Sequence, residues 1–179
     1  MRATGIVRRI DDLGRIVIPK EIRRTMRIRE GDPLEIYTEK DGEVIFKKYS
    51  PMGEWSEAAE QLCETVSKTA NCCVAIADRD SFISVSGAGK RELHRKRISP
   101  EVEQIMEARK LYKRDASERG FALVDGVEKF VAEIAAPILS EGDVLGCVML
   151  FSEGDKPTTD VEYKLAQTVA AFLGRQMES

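Results

Sequence analysis

The residues best able to do chemistry in this sequence are the arginines near its amino terminus. Residues 1–29 hold nine Lys/Arg and three Asp/Glu, although the 179-residue chain has a net charge of −3. Residues 51–179 are acidic, with 16 basic and 22 acidic side chains. Three carboxylates cannot neutralise nine cations locally, and the guanidinium fork matches phosphate and guanine. The segment therefore predicts a polyanion-binding surface; the alternative is a solvated face held by weak surface ion pairs.

A strand, turn, strand, helix pattern would position these arginines. Thr4–Ile10 and Arg15–Ile18 predict two short strands, with Gly14 in the turn between them. If position 10 pairs with 13, then Arg8 lies opposite Arg15. Like charges directly opposite each other destabilise a sheet, so this pairing favours an anion bound beside them.

A short helix is predicted at Lys20–Met26, directly after Pro19. At 100° per residue its cations fall within one arc of about 100°, and the apolar Ile22 and Met26 lie on the other side. The apolar side should dock and the basic side should face solvent. The cations of the arc are Lys20, Arg23, Arg24 and Arg27.

Two further strands, Pro33–Thr38 and Glu43–Tyr49, flank Asp41-Gly42, which is typical of a type I′ hairpin. A unit of about 50 residues buries too little surface to be stable alone without disulfides, metal or oligomerisation. Residues 1–50 contain no Cys and no His, so oligomerisation is expected. They also contain no Asn or Gln, so the bidentate adenine contact is excluded and degenerate recognition that depends on duplex shape is expected.

These residues carry a family resemblance. TGIVRRIDDLGRIVIPKEIRRTMRIREGDPLEIY, followed by DGEVIFKKYSP, resembles the N-terminal domain of the AbrB family of bacterial transition-state regulators. The resemblance implies a β-rich swapped-hairpin barrel with a short helix, in which two chains interleave and present arginines to double-stranded DNA. It places the DNA contacts at Arg8, Arg15, Arg23 and Arg24, with Arg9, Lys20 and Arg27 secondary.

The full length also resembles two-domain sporulation regulators of endospore-forming bacteria. This implies a transcription regulator, both activator and repressor, of late, forespore-stage sporulation genes. The expected organisation is a DNA-binding domain at residues 1–50, a linker at 51–53 marked by Pro51 and Gly53, and a second domain at 54–179.

The second domain has a helix, two strands, helices, three strands and a final helix in order. This order resembles a GAF-type α+β sensor domain, with an antiparallel sheet and flanking helices. Ser99 is expected to cap a helix that begins at Pro100, and the spacing of Thr159 and Glu162 predicts a capping box. The predicted elements are a helix at Glu54–Ala70, strands at residues 72–78, 82–87, Phe121–Val124, Phe130–Leu139 and Val144–Phe151, and a helix at Thr159–Met177.

Partners beyond DNA are expected from the same pattern. The Glu54–Ala70 and Thr159–Met177 helices have apolar stripes that suit a helical bundle between subunits, which would join swapped dimers into a homotetramer; alternatively they only cover their own sheet. The GAF-like domain is expected to respond to a small-molecule effector or to the state of assembly, and the sequence identifies no ligand-binding residues. The basic segment Lys90–Arg97 suggests an anionic ligand or a further DNA contact, or only a solvated loop.

No enzyme is predicted, because no set of nucleophile, base and orienting residue is visible. The alternatives are a cysteine-based GAF-type reductase and an antitoxin-like partner-binding module. The four cysteines lack CxxC spacing and His94 completes no zinc motif, so neither a metal nor a cofactor is expected. Without a long apolar run or an apolar leader, the chain is expected to be cytoplasmic and nucleoid-associated, with no membrane partner.

Overall fold

The computed structural model describes residues 4–50, 52, 55–154 and 158–178. They form two compact units, Met1–Tyr49 and Ser50–Ser179. In the first unit, helix α1 spans Lys20–Met26, and strands β1 (Leu34–Thr38) and β2 (Val44–Lys48) pair antiparallel with Ile36 opposite Phe46. The predicted helix and both of these strands are confirmed to within one residue.

The first predicted hairpin differs from expectation. Residues 4–10 and 15–18 have no strand assignment in the single chain. At the turn, the Asp11 N–H donates to the Arg15 carbonyl (3.0 Å) and the Gly14 N–H donates to the Asp11 carbonyl (3.0 Å). Asp11 therefore lies opposite Arg15, and the predicted pairing of Arg8 with Arg15 is wrong. The loop has three residues instead of two, because Gly14 (φ 76°) adds a left-handed residue after the turn.

The turn between β1 and β2 has the same three-residue form. Glu39 N–H donates to the Glu43 carbonyl (3.0 Å), and Gly42 N–H donates to the Glu39 carbonyl (3.1 Å). Gly42 has φ 81°, whereas Asp41 keeps negative φ, so the predicted type I′ turn is wrong here.

No described residue of the first unit is buried. Apolar side chains on both hairpins face solvent; for example, Val7 is 89% exposed. A folded unit without an interior lacks the main favourable contribution to folding. The other exposed large apolar side chains of this unit are Ile6, Ile10, Leu13, Ile16, Val17, Met26, Ile36, Tyr37, Val44, Phe46 and Tyr49.

The second unit is built on an antiparallel five-stranded sheet of order β4-β3-β7-β6-β5. Its strands are β3 (Cys73–Asp78), β4 (Phe82–Ser86), β5 (Tyr112–Lys113), β6 (Phe130–Ser140) and β7 (Asp143–Glu153). Helices α2 (Ser56–Ala70), α3 (Lys90–Leu93), α4 (Pro100–Ala108) and α5 (Asp160–Gln176) complete it. This agrees with the expected GAF-like α+β layout.

Two cores lie on opposite faces of the sheet. On β3, Val74 and Ile76 face the core beneath α2 and α5, whereas Ala75 and Ala77 face the core beneath α4. The alternation follows the two-residue period of a strand. Met52 is fully buried in the first of these cores.

The predicted strand Phe121–Val124 is wrong. Its only ladder contact within the described residues is a single bridge between Ala122 and Val131. The short strand β5, which was not predicted, pairs with β6 at Ile134 and Ala135 and forms the edge of the sheet. The β6–β7 turn at Glu141-Gly142 has positive φ at both residues (50° and 90°), which is the type I′ geometry.

Helix ends follow the predicted signals. Ser99 accepts a hydrogen bond from the Val102 N–H (3.3 Å), and Thr159 with Glu162 forms a complete capping box. α2 ends at Asn71, which adopts the left-handed conformation. No helix within the described ranges is long and apolar enough to cross a membrane.

Candidate nucleic-acid interface

Asp11 organises the first turn and one of the arginines. Its Oδ1 accepts hydrogen bonds from the backbone N–H of Arg15 (2.7 Å) and of Leu13 (3.0 Å), and its Oδ2 lies 2.8 Å from Arg15 Nε. The Arg15 backbone N–H, then its guanidinium, lowers the pKa of this carboxyl below its ordinary value. Arg15 is thereby oriented, and its side chain remains 70% exposed to solvent.

Helix α1 presents a second group of cations. Lys20, Arg23 and Arg24 are exposed, and both arginines lie in the last turn, where the helix dipole favours positive charge. The helix ends in a Schellman-type cap, with the Ile28 N–H donating to the Arg23 carbonyl (2.8 Å). Arg23 and Arg24 therefore project from a defined helix end.

Arg27 does not belong to the predicted arc. It is the C-cap of α1, with a left-handed backbone (φ 51°), and it is half-buried. Its carbonyl accepts a hydrogen bond from Lys48 Nζ (3.1 Å), and Lys48 also lies 3.5 Å from Asp32 Oδ2. Met26, predicted to dock, is 56% exposed, whereas Ile22 is half-buried.

The site residues divide into two sets in the single chain. Arg8, Arg9 and Arg15 flank the first turn and are exposed, while Lys20, Arg23 and Arg24 lie on α1. Asp11 was missed as a site residue at the sequence level. The available signal was its position before a glycine turn, where an Asp side chain binds backbone N–H groups two to four residues on.

The second unit has a cavity of about 260 Å³ between the end of α2 and β7. Its buried carboxylate, Glu133, accepts from Arg114 Nε (2.7 Å) and Ser152 Oγ (2.5 Å). A second depression of about 540 Å³ lies near Arg119 and Glu128, an exposed ion pair at 3.5 Å. The core beneath α4 is filled by side chains that include Phe82, Phe130 and Phe151.

The cysteines have the character of packing residues. Cys63 and Cys147 are fully buried, and burial raises the pKa of both thiols, that of Cys63 to about 12. Cys72 and Cys73 are half-buried beside the smaller cavity. No group of three or more His, Cys, Asp or Glu side chains in the described part of the chain is arranged to hold a metal ion.

Comparison with known proteins places both units. Residues 54–178 match the family "Stage V sporulation protein T C-terminal, transcription factor", and residues 7–53 match "Antidote-toxin recognition MazE, bacterial antitoxin". The chain is 48% identical over 179 residues to stage V sporulation protein T of Bacillus subtilis (strain 168), covering 99% of each. It is 40% identical over 88 residues to the transition state regulatory protein AbrB of the same organism, covering 49% of this chain and 82% of AbrB.

A solved structure supports the fold of the second unit. The GAF domain from an Acinetobacter phosphoenolpyruvate-protein phosphotransferase has a TM-score of 0.56 at 12% identity, covering 73% of this chain and 84% of that one. At that identity the likeness shows the fold alone. Together with the full-length match, these findings show that the chain belongs to the stage V sporulation protein T family, with an AbrB-like amino-terminal domain followed by a GAF-like domain.

Proposed function

We propose that this protein is a DNA-binding transcription regulator of late, forespore-stage sporulation genes, acting as activator and repressor. The observation that carries the proposal is the set of exposed arginines in a unit with a threefold excess of basic over acidic residues at its amino-terminal end. Arg8, Arg15, Arg23 and Arg24 bind the duplex, and Arg9, Lys20 and Arg27 make secondary contacts. Since DNA is its partner, the protein works in the cytoplasm, associated with the nucleoid.

The DNA-binding domain, residues 1–50, is an intertwined dimer in this proposal. The support is its lack of any buried described residue, together with the solvent-exposed apolar side chains on both hairpins. A partner's hairpin laid against residues 4–18 would supply the missing strand pairing and cover Val7 and Val17. Burial of one such side chain contributes about 1.5–3 kcal/mol.

Residues 54–179 join two dimers into a tetramer, and residues 51–53 link the domains. The support is the outer surface of α5, where Val161 is 73% and Phe172 49% exposed. Large apolar residues at such spacing on one helix suit a bundle with the same helix of another subunit. The cavity at Glu133 is the place where a small polar effector would bind.

Neither of the two alternative functions, reductase or antitoxin, is supported as well as DNA-binding regulation. A cysteine-based reductase needs an accessible thiolate, whereas Cys63 and Cys147 are buried with raised pKa values. The antitoxin reading has the match at residues 7–53 in its favour. However, residues 55–154 and 158–178 fold into a sheet with two cores instead of a flexible neutralising tail.

Binding to a forespore-stage promoter fragment tests the proposal. Arg23→Ala and Arg24→Ala should each weaken binding about tenfold or more, because each removes a contact in every protomer. Lys40→Ala is the matched control, since Lys40 is an exposed cation in the other turn of the same unit and should change the Kd less than about twofold. Equal losses for Arg23→Ala and Lys40→Ala would contradict the assigned surface.

A further inference from the structure

A second basic surface lies on the GAF-like unit. Between residues 79 and 97 the chain carries six Lys/Arg and two Asp/Glu, although residues 51–179 as a whole are acidic. Lys90 is neutralised by Glu60 at 3.0 Å. The β4-edge tract is defined by the four remaining cations that are exposed and have no side-chain partner within the described residues: Arg91, Arg95, Lys96 and Arg97.

The backbone of the tract is held firmly at the sheet edge. Arg95 N–H donates to the Phe82 carbonyl and Phe82 N–H donates to the Lys96 carbonyl, both at 2.9 Å. The backbones of Arg97 and Ser81 form an isolated antiparallel β-bridge. Leu93 and Ile98, on either side, are 0% and 3% exposed and anchor the segment in the core. The four cations therefore extend from a fixed support, which lowers the entropy lost on binding.

The tract lies beside the point where the chain enters this unit. Ser50 Oγ donates to Asp78 Oδ2 (3.2 Å), and Asp78 Oδ1 accepts from the Asp80 and Ser81 backbone N–H groups. The Ile98 N–H donates to the Asp80 carbonyl (3.1 Å) at the same turn. The first residue of the second unit and the end of the tract thus share one turn.

We propose that the β4-edge tract is a second DNA-contacting surface, which binds phosphates of the duplex that flanks the segment held by the amino-terminal domain. This rests on the proposed function. A duplex bound by the amino-terminal domain is tethered to this unit through the chain itself, so its contact with the tract would be effectively intramolecular. DNA is favoured over an acidic protein because a duplex held by the amino-terminal domain is already tethered to this unit, and because three of the four cations are arginines, which bind phosphate as a fork.

The test compares two duplexes. A compact dimer of about 100 residues has a radius of gyration of about 13 Å. A duplex of about 16 base pairs, or about 54 Å at 3.4 Å per base pair, therefore accommodates the amino-terminal dimer, and one of about 50 base pairs adds flanks. The tract variant Arg91→Gln, Arg95→Gln, Lys96→Gln, Arg97→Gln is compared with a control that removes four cations near the opposite, β5 edge: Arg109, Lys110, Arg119 and Lys129.

On the long duplex the tract variant should lose at least tenfold in affinity, and its slope of log K against log salt should become shallower by about 2 or more. On the short duplex the tract variant should bind with the wild-type affinity. The control variant should bind both duplexes with the wild-type affinity. A second variant replaces only Arg91, Lys96 and Arg97 by Gln and keeps Arg95, whose backbone is left-handed (φ 59°). It should also lose affinity for the long duplex, which would show that the loss does not come from a folding defect at Arg95.

Unchanged long-duplex binding by the tract variant would overturn the inference. So would a variant that keeps DNA binding but loses affinity for poly-glutamate, a stand-in for an acidic protein surface. Failure of the proposed function is distinct, because the wild type would then bind neither duplex.

Discussion

At the scale of single residues, the first turn couples an acid to the arginine that it presents. Asp11 neutralises part of the Arg15 charge and fixes its direction through Nε, while the rest of the guanidinium stays open to solvent. An arginine held in this way loses less rotamer freedom on binding phosphate. The carboxylate is thus a positioning group within the proposed surface.

The titration of Asp11 tests this role. Its pKa is lowered by the Arg15 N–H, the Arg15 guanidinium and the Leu13 N–H, so the stabilisation is present above the ordinary value of 3.8 and is lost as pH falls through the lower folded value. NMR of the side-chain carboxyl carbon should give a midpoint below 3.8. Arg15→Gln should return it only partly, since the backbone donors remain. A midpoint at or above the ordinary value would contradict the arrangement.

At the scale of elements, sequence pattern predicted helices and long strands better than turns. Ser99, Thr159 and Asn71 act at the helix ends where their chemistry indicates. Turn length depends on which residues take positive φ. Asp41-Gly42 and Glu141-Gly142 look alike in sequence, yet only the second pair takes positive φ at both residues.

The strand predictions failed where pairing is decided by distant parts of the chain. Residues 121–124 have strand-like composition, but Tyr112–Lys113 occupies the edge of β6. The arginines on α1 were predictable because one helix period orders them, whereas the departure of Arg27 depends on a left-handed cap that usually holds glycine. The contact of Asp11 with Arg15 was not predicted, because it requires the three-residue loop and not the predicted two-residue loop.

The packing of α5 on the sheet predicts that Gly174→Ala lowers stability, whereas helix propensity alone predicts that it raises stability. A Cβ at Gly174 would collide with the Leu139 carbonyl oxygen. In an exposed helix Gly→Ala stabilises by about 1 kcal/mol, but Gly174→Ala should destabilise by about 1–3 kcal/mol because α5 must shift away from β6. Urea unfolding measures the difference.

The control for that change is Gln167→Ala, an exposed position on the same helix, which should alter stability by less than about 0.5 kcal/mol. A Gly174→Ala variant as stable as the wild type would show that the close approach of α5 to β6 is not maintained.

At the scale of the whole molecule, the two units differ in how they are stabilised. The second unit has two cores of its own, whereas the first has no buried described residue. In the proposed intertwined dimer the first unit gains its buried surface from a second copy, so its stability should depend on protein concentration. The second unit, with its own cores, should not show this dependence.

Mutation of α5 should separate the two proposed steps of assembly, in which the first units form dimers and the second units join two dimers into a tetramer. Sedimentation equilibrium should give the wild type a mass of about four times the 20.0 kDa of one chain. Phe172→Glu should reduce the protein to a dimer, because a charge then replaces an apolar side chain in the proposed helical bundle between subunits. Gln167→Glu adds the same charge on the same helix and should leave the tetramer intact. A monomeric wild type would contradict both levels of assembly.

The salt dependence of DNA affinity is the most direct test of the central claim, that paired chains present Arg8, Arg15, Arg23 and Arg24 to the duplex. On a duplex of about 16 base pairs, eight arginines from a dimer predict a slope of log K against log salt of about −7. Replacing any one of the four by Ala should make it shallower by about 2, since each change removes two contacts. A wild-type slope near −2 would contradict the account.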